Sequence, residues 1–302
     1  MLVVLAVSFT RLALGVHFVS DVLAGWALGL GWLAVTAGTF RAWQHSRGRY
    51  ADEPLDPLDL DPDEAPQLVV RAEPHRSLPA TAGRLAGAAA VVVAALGVLG
   101  LLVTAVLTDT WLGRLDRDIV ASLVEERTAF RSDLATAVST LGGTRAVIAV
   151  GLSAAVLALA VTGRRRPALF VVVTLVGEVL LYFVVAQIVG RLRPDVADLV
   201  SELPSGASWP SGHSAAAAAL YGAVAALVLV SSRSPWRWAV LALPVVLAPA
   251  IGLSRLYVAA HYPTDVVAGL VLGGAWVLVC ARFVLVPAAA DAARRADAGA
   301  AR

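Results

Sequence analysis

Long apolar segments dominate the pattern of hydrophobic and polar positions after residue 83. They run approximately over Arg84–Leu107, Thr144–Thr162, Pro167–Gly190, Ser211–Ser231, Trp238–Leu253 and Tyr262–Val286. Most of them have the length that a helix needs to cross the ~30 Å hydrocarbon layer of a bilayer. We therefore predict an all-α fold, a bundle of six transmembrane helices. Between the first two spans, the charges and periodicity of residues 108–143 predict short amphipathic helices outside the membrane.

The N-terminal part of the chain repeats the end of this bundle. A shift of 244 positions aligns Thr10–Val35 with Ser254–Val279 and matches Arg, His, Asp, Gly and Trp in place. Residues 1–45 are thus predicted to be a partial second copy that adds one membrane helix before the main bundle. This copy has Arg11, His17 and Asp21 but lacks the other polar motifs, so we expect it to be inactive alone.

The remaining segments are polar. Residues 46–80 are predicted to be a disordered, Pro-rich cytoplasmic linker, because Ala51–Pro66 holds seven carboxylates and four prolines. Residues 81–286 are predicted to form the membrane domain, and residues 287–302 a cytoplasmic tail. Arginines collect in the loops after the second and fourth spans and after the last one, and the positive-inside rule makes that side cytoplasmic. The opposite helix ends then face outward from the plasma membrane.

Composition excludes several classes of protein. With 59% hydrophobic and 15% charged residues and a mean hydropathy of +0.77, the chain is too apolar for a soluble domain. A net charge of +2 is too small to indicate a nucleic-acid partner. The single cysteine, Cys280, excludes an intrachain disulfide and a cysteine-based metal site.

Three short polar segments lie at helix ends that the predicted topology places on the outer side. They are Gly190-Arg191-Leu192-Arg193-Pro194, Trp209-Pro210-Ser211-Gly212-His213, and Ser254-Arg255 followed by His261 and Asp265. Because the guanidinium group matches the geometry of phosphate oxygens, Arg193 and Arg255 are predicted to clamp an anion. The alternative is that these arginines only anchor the helix ends to phospholipid headgroups.

The Pro-Ser-Gly-His segment precedes an apolar run, which places Ser211 and Gly212 at a helix N-terminus. Free backbone N–H groups there favour an anion, and glycine allows its close approach. The alternative is that Ser211 simply caps the helix and that His213 is an interfacial residue.

His261 and Asp265 are four residues apart at the start of the last helix and so share a face. We predict that Asp265 accepts the imidazole N–H and leaves the other ring nitrogen free to attack phosphorus. A purely structural hydrogen bond between the two is the alternative.

These motifs resemble a known family. Arg193-Pro194, Pro210-Ser211-Gly212-His213 and Ser254-Arg255-x5-His261-x3-Asp265 are similar to the three signature motifs of the type 2 phosphatidic acid phosphatase and vanadium-dependent haloperoxidase superfamily. The resemblance covers about residues 81–286. The second and third motifs are complete, and their order among six spans makes the resemblance specific.

The resemblance implies a metal-free phosphatase without a cofactor. Its phosphate-binding residues would be Arg193, Ser211, Gly212 and Arg255. His261 would attack the phosphate and form a phosphohistidine, His213 would protonate the leaving group, and Asp265 would orient His261.

One position departs from the family pattern. The first motif usually begins with a lysine seven residues before its second arginine, and Ala186 stands there. Either Arg191 partly replaces the lysine as an auxiliary cation, or the enzyme is slower or uses an altered substrate.

The expected substrate is a phosphorylated membrane lipid such as phosphatidic acid, phosphatidylglycerol phosphate or undecaprenyl diphosphate, which the enzyme would hydrolyse. Three alternatives stay open: transfer of the phosphate to an alcohol, a catalytically impaired homologue that binds phospholipid, and a haloperoxidase, which would need bound vanadate. The sequence leaves the oligomeric state open.

Overall fold

The computed structural model describes residues 78–162, 164–196, 207–232 and 235–285, together with five single positions before residue 33. Apart from those five positions, the predicted repeat over residues 1–45 lies outside the described residues. The same holds for its Arg11, His17 and Asp21, for residues 46–77 of the linker and for the tail over 287–302. These predictions therefore stay predictions.

The described part of the chain is helical throughout its regular structure. Its helices are α1 (Leu78–Ala105), α2 (Trp111–Glu125), α3 (Ala129–Thr140), α4 (Thr144–Thr162), α5 (Arg165–Val189), α6 (Gly212–Ser231), α7 (Ala248–Tyr257) and α8 (Pro263–Cys280). A 3₁₀ segment, Pro235–Leu241, and a π segment, Leu243–Leu247, lead into α7, and a second π segment, Ala281–Leu285, extends α8. Six of these helical stretches are long and apolar enough to cross a membrane.

The predicted spans are confirmed with small shifts of their ends. The first helix begins at Leu78, three residues before the predicted domain boundary. The fifth span is longer than expected, Pro235–Tyr257, because its 3₁₀ and π segments continue into α7 without a break in the helix. The protein is therefore an integral membrane protein with an all-α fold.

The two amphipathic helices begin as their sequences predict. The hydroxyl oxygen of Thr110 accepts a hydrogen bond from the backbone N–H of Leu112 at the start of α2, and Thr128 accepts one from Arg131 at the start of α3. Such caps satisfy backbone donors that have no partner within the first turn. α5 ends at Gly190, whose φ of 61° lies in the left-handed region that glycine adopts at little cost.

Close packing of α6 against α8 fixes the position of the polar helix ends. A methyl group on Gly269 or Gly273 of α8 would overlap the carbonyl oxygen of Ser211 or Ala215, respectively. Small residues thus let the two backbones approach, as is common between membrane helices. The N-terminus of α6 consequently lies directly beside the first turns of α8.

The segment before α6 is anchored by Trp209. Its indole is buried, and its N–H donates to the carbonyl of Leu96 in α1 at 3.1 Å. Gly100, one turn further along α1, leaves the room that this ring needs. Trp209 therefore ties the loop that carries Ser208 and Ser211 to the first helix of the bundle.

Candidate active site

His261 is held in one tautomer by the backbone of Ser208. Its Nδ1 lies 2.8 Å from the carbonyl oxygen of Ser208, and because a carbonyl only accepts, Nδ1 carries the proton. The other ring nitrogen, Nε2, keeps its lone pair. The loop that presents the ring contains Ala259 at a φ of 59°, a conformation that L-residues rarely adopt. As predicted from the sequence, the ring has its proton on one nitrogen and leaves the other free, but the group that accepts this proton is the Ser208 carbonyl.

The predicted hydrogen bond between Asp265 and His261 is wrong. The Asp265 Oδ2 atom lies 3.9 Å from Nδ1 of His261, too far for a hydrogen bond. This oxygen instead accepts from the Ser208 hydroxyl at 2.5 Å and from the backbone N–H of Tyr262 at 2.8 Å. Asp265 therefore reaches His261 indirectly, by holding Ser208, whose carbonyl in turn holds the imidazole.

Arg191 is not available as a replacement for the missing lysine. Its guanidinium group lies between two buried carboxylates, 2.6 Å from Asp265 and 2.8 Å from Asp116, and stacks on the ring of Tyr262. Both terminal nitrogens are thus engaged by protein groups. The expectation that Arg191 binds phosphate is corrected, because two fixed negative charges within the protein hold this cation.

Asp116 links the amphipathic helix α2 to this network. Its carboxylate accepts hydrogen bonds from the backbone N–H of Thr264 at 3.1 Å and from the Thr264 hydroxyl at 2.5 Å, in addition to the ion pair with Arg191. Because Thr264 precedes Asp265, Asp116 positions the first turn of α8. Helix α2, the loop before α6 and the first turn of α8 therefore meet at one end of the bundle.

Arg193 and Arg255 lie close to the imidazole of His261. Burial lowers the pKa of His261 well below its usual value, and the positive charges of Arg193 and Arg255 lower it further. Arg193 donates to the carbonyl of Ala260 at 2.8 Å, and Arg255 donates to the Ser139 hydroxyl at 2.7 Å. Within the described residues, Nε of Arg255 is buried without a hydrogen-bond partner. This arrangement leaves the Arg255 guanidinium with a donor for an anion.

Ser211 caps α6, as the simpler of the two sequence interpretations proposed. Its hydroxyl oxygen accepts hydrogen bonds from the backbone N–H of Ser214 at 3.4 Å and from the Ser214 hydroxyl at 2.9 Å. Its backbone N–H donates to the carbonyl of Asp265. Gly212 packs under Tyr182, where a methyl group would lie 3.1 Å from a ring carbon. Direct contact of Ser211 or Gly212 with phosphate stays a prediction.

His213 opens onto a pocket of about 400 Å³. The pocket is lined by Thr136, Ser139, Thr140, Gly143, Thr144, Arg145, His213, Arg255 and Val258. Gly143 lies beside the imidazole, since a methyl group added there would be 3.8 Å from Nε2 of His213. The predicted general acid and one predicted phosphate ligand, Arg255, therefore face the same cavity.

Four side chains of this site were missed in the sequence: Asp116, Ser139, Ser208 and Thr264. A signal existed for Asp116, because it shares the buried face of α2 with Gly113 and Val120, where a carboxylate is unusual. Ser139 and Ser208 carry no such signal. Their roles depend on helices and loops that are distant in the chain.

These features define a class of protein: a membrane protein whose described residues include six spans and gather two histidines, two arginines and a helix N-terminus at one end of the bundle. The family model of the PAP2 superfamily matches residues 1–44 and 167–286. The chain belongs to this superfamily.

Three curated relatives and one solved structure are similar to the chain. Phosphatidylglycerophosphatase B of Bacillus subtilis is 38% identical over 96 residues, which are 31% of this chain and 46% of the relative. Undecaprenyl-diphosphatase of Sulfolobus acidocaldarius is 33% identical over 112 residues, 36% of this chain and 48% of the relative. Decaprenylphosphoryl-5-phosphoribose phosphatase of Mycobacterium tuberculosis is 36% identical over 91 residues, 30% of this chain and 45% of the relative.

The chain thus spans about half the length of the curated relatives it matches. The solved structure is that of a transmembrane PAP2 type phosphatidylglycerolphosphate phosphatase from Bacillus subtilis. The two folds superpose with a TM-score of 0.57 at 25% sequence identity, over 63% of this chain and 94% of that structure.

Proposed function

We propose that this protein is a phosphatase that removes the terminal phosphate of a membrane lipid, with its site at the outer face of the plasma membrane. The observation that carries the proposal is the tautomer and the neutral charge of the His261 ring. Its Nδ1 is held by the Ser208 carbonyl, its lowered pKa keeps the ring neutral at neutral pH, and two arginine charges lie close to it. A neutral imidazole beside cationic groups is suited to attack a phosphate.

The reaction has two displacement steps. Nε2 of His261 forms a bond to phosphorus while the bond from phosphorus to the leaving oxygen breaks, and His213 gives that oxygen its proton. Water then attacks the phosphohistidine, the N–P bond breaks, and His213 takes the proton from the water. Free phosphate and the unmodified enzyme result.

The proposed chemistry assigns the stabilising charge to protein groups. Arg193, Arg255 and the N-terminus of α6 would bind the three non-bridging oxygens, where negative charge is greatest in the transition state. Because these groups supply the charge, the proposal includes no metal ion. Asp265 contributes through Ser208, and Arg191 with Asp116 holds Asp265 in place.

The names of the relatives support a lipid substrate. Phosphatidylglycerophosphatase, undecaprenyl-diphosphatase and decaprenylphosphoryl-5-phosphoribose phosphatase each act, by name, on a lipid that carries two phosphoryl groups. Phosphatidic acid, phosphatidylglycerol phosphate and undecaprenyl diphosphate are therefore the substrates to compare. The apolar spans allow such lipids to reach the site by lateral diffusion in the bilayer.

The test is phosphate release from these three lipids by purified protein in detergent with EDTA present. We expect wild-type turnover with EDTA, a loss of at least about 10³-fold in His261→Ala, and a loss of about 10²- to 10⁴-fold in His213→Ala. With p-nitrophenyl phosphate the His213→Ala loss should be smaller, because that leaving group needs no proton. His75→Ala, in the predicted linker, is the matched control and should retain full activity.

Several outcomes would contradict the proposal. Unchanged release in His261→Ala would exclude this nucleophile, and loss of activity in EDTA would exclude the metal-free mechanism. Appearance of the phosphate on an added alcohol, with none released, would favour a phosphotransferase. Absence of release from every lipid would favour the binding homologue.

A further inference from the structure

We propose that Arg145 forms a second anion subsite for the leaving group, so that the enzyme prefers lipids with another phosphoryl group next to the bond that breaks. The inference rests on the proposed function, because it assigns the leaving-group side of the same site. It begins from a pocket residue that the family motifs do not contain. Arg145 lies in the first turn of α4, between the amphipathic helices and the second span.

The first step is the place of the leaving group. His213 is the proposed proton donor to the leaving oxygen, so this oxygen must lie within hydrogen-bond reach of the imidazole. The backbone of Gly143 stands beside Nε2 of His213. The leaving group therefore departs along the segment that begins at Gly143.

The second step is the character of that segment. Thr140, Thr144 and Arg145 line the pocket together with His213 and Arg255. The first backbone N–H groups of α4, which begins at Thr144, have no acceptor within the helix and add a favourable field for an anion. The wall that the leaving group meets therefore includes two threonines and the positively charged Arg145.

The third step is that the Arg145 side chain is available to bind an anion. It is exposed, and in the part of the chain that the structure describes it has neither a hydrogen bond nor an ion pair. Other arginines near this end are engaged: Arg131 lies 3.6 Å from Glu126, and Arg117 donates to the carbonyl of Thr108 at 2.9 Å. Arg255 and Arg145 thus line the same cavity.

Two cations on one pocket match two phosphoryl groups. Arg255 binds the phosphoryl group that is transferred, and Arg145 binds the one that stays with the lipid. A lipid diphosphate has this arrangement, because the oxygen that leaves belongs to its second phosphoryl group. Phosphatidic acid lacks it, because its leaving group is a neutral alcohol.

The test compares farnesyl diphosphate with a short-chain phosphatidic acid in wild type, Arg145→Gln and Arg131→Gln. We expect Arg145→Gln to lower kcat/KM for farnesyl diphosphate by about 10- to 100-fold, as for the loss of a charge-assisted hydrogen bond. Its effect on phosphatidic acid should stay within about threefold. Arg131→Gln, which removes the same charge outside the pocket, should change neither substrate. Equal losses for both substrates in Arg145→Gln would overturn the subsite.

A binding measurement separates this inference from the proposed function. Farnesyl methylenediphosphonate and farnesyl phosphonate differ in the second phosphoryl group and resist hydrolysis, so their Kd values need no turnover. The subsite predicts tighter binding of the diphosphonate by wild type and loss of that preference in Arg145→Gln. If no lipid is hydrolysed while this preference remains, the proposed function fails and the subsite stands. If wild type shows no preference, the subsite is overturned.

Discussion

At the scale of single residues, the connection between Asp265 and His261 is indirect. Asp265 holds the hydroxyl of Ser208, and the carbonyl of the same serine holds Nδ1 of the imidazole. In the proposed mechanism the carboxylate would orient the histidine like the third member of a catalytic triad, with one residue between the two side chains. Ser208, three positions before Ser211, therefore belongs to the proposed catalytic arrangement.

This arrangement predicts that Asp265 and Ser208 act together. We expect Asp265→Asn to lower turnover by about 10²- to 10⁴-fold and Ser208→Ala by about tenfold. The double variant should be no slower than Asp265→Asn alone, because both changes break the same link. The measurement is a double-mutant cycle on kcat.

Ser254→Ala is the matched control for the cycle. Its hydroxyl donates only to the carbonyl of Ile251 among the described groups, at 2.6 Å, so its effect should add to that of Asp265→Asn. Additive losses for Ser208→Ala would show instead that Asp265 and Ser208 act on His261 by separate routes.

At the scale of helices, the amphipathic helix α2 is part of the site. Asp116 projects from it into a buried network with Arg191 and Thr264, at the beginning of α8. A helix that the sequence places outside the membrane thus fixes the turn that carries Asp265. Similarly, Ser139 of α3 holds Arg255 by accepting a hydrogen bond from its guanidinium group.

We predict that Asp116→Asn lowers kcat by about tenfold with little change in KM, because the first turn of α8 loses a charged anchor while the phosphate ligands stay in place. The variant should also lose about 1–3 kcal/mol of stability, because the buried Arg191 then has one carboxylate fewer to neutralise its charge. Steady-state kinetics and thermal unfolding in detergent measure the two effects.

Asp118→Asn is the control on the same helix. Asp118 is exposed, and its change should leave kinetics unaltered and stability within about 0.5 kcal/mol. A KM increase in Asp116→Asn at constant kcat would mean that Asp116 affects substrate binding and does not position Asp265.

At the scale of the whole molecule, the proposed function depends on which side of the membrane the candidate site faces. The loops before α4, α6 and α8 meet at one end, whereas the start of α5 with Arg164–Arg166 and the 3₁₀ segment with Arg237 are at the other. The positive-inside rule predicts that the active-site end faces outward.

Single cysteines test this orientation in intact cells of a Cys280→Ala background. Leu192, 83% exposed beside the site, and Trp236, 61% exposed at the opposite end, are suitable positions. We expect a membrane-impermeant maleimide to label Leu192→Cys in intact cells and Trp236→Cys only after permeabilisation. The reverse pattern would place the site on the cytoplasmic side.

The sequence by itself determined the helices and the motif residues. A stretch of about 20 apolar residues must satisfy its backbone hydrogen bonds internally in a bilayer, so each span follows from local composition. The motif spacing put Arg193, His213, Arg255 and His261 at helix ends on one side. The same reasoning could not predict which segments far apart in the chain would be in contact.

Only the tertiary structure decided which group each polar side chain contacts. The partner of Nδ1 in His261 is the Ser208 carbonyl, Arg191 is neutralised by Asp116 and Asp265, and Arg145 lines the pocket of His213. These choices depend on differences of about an ångström between helices brought together by Gly269 and Trp209. Hydrogen bonds and ion pairs are that sensitive to distance, whereas apolar periodicity is not.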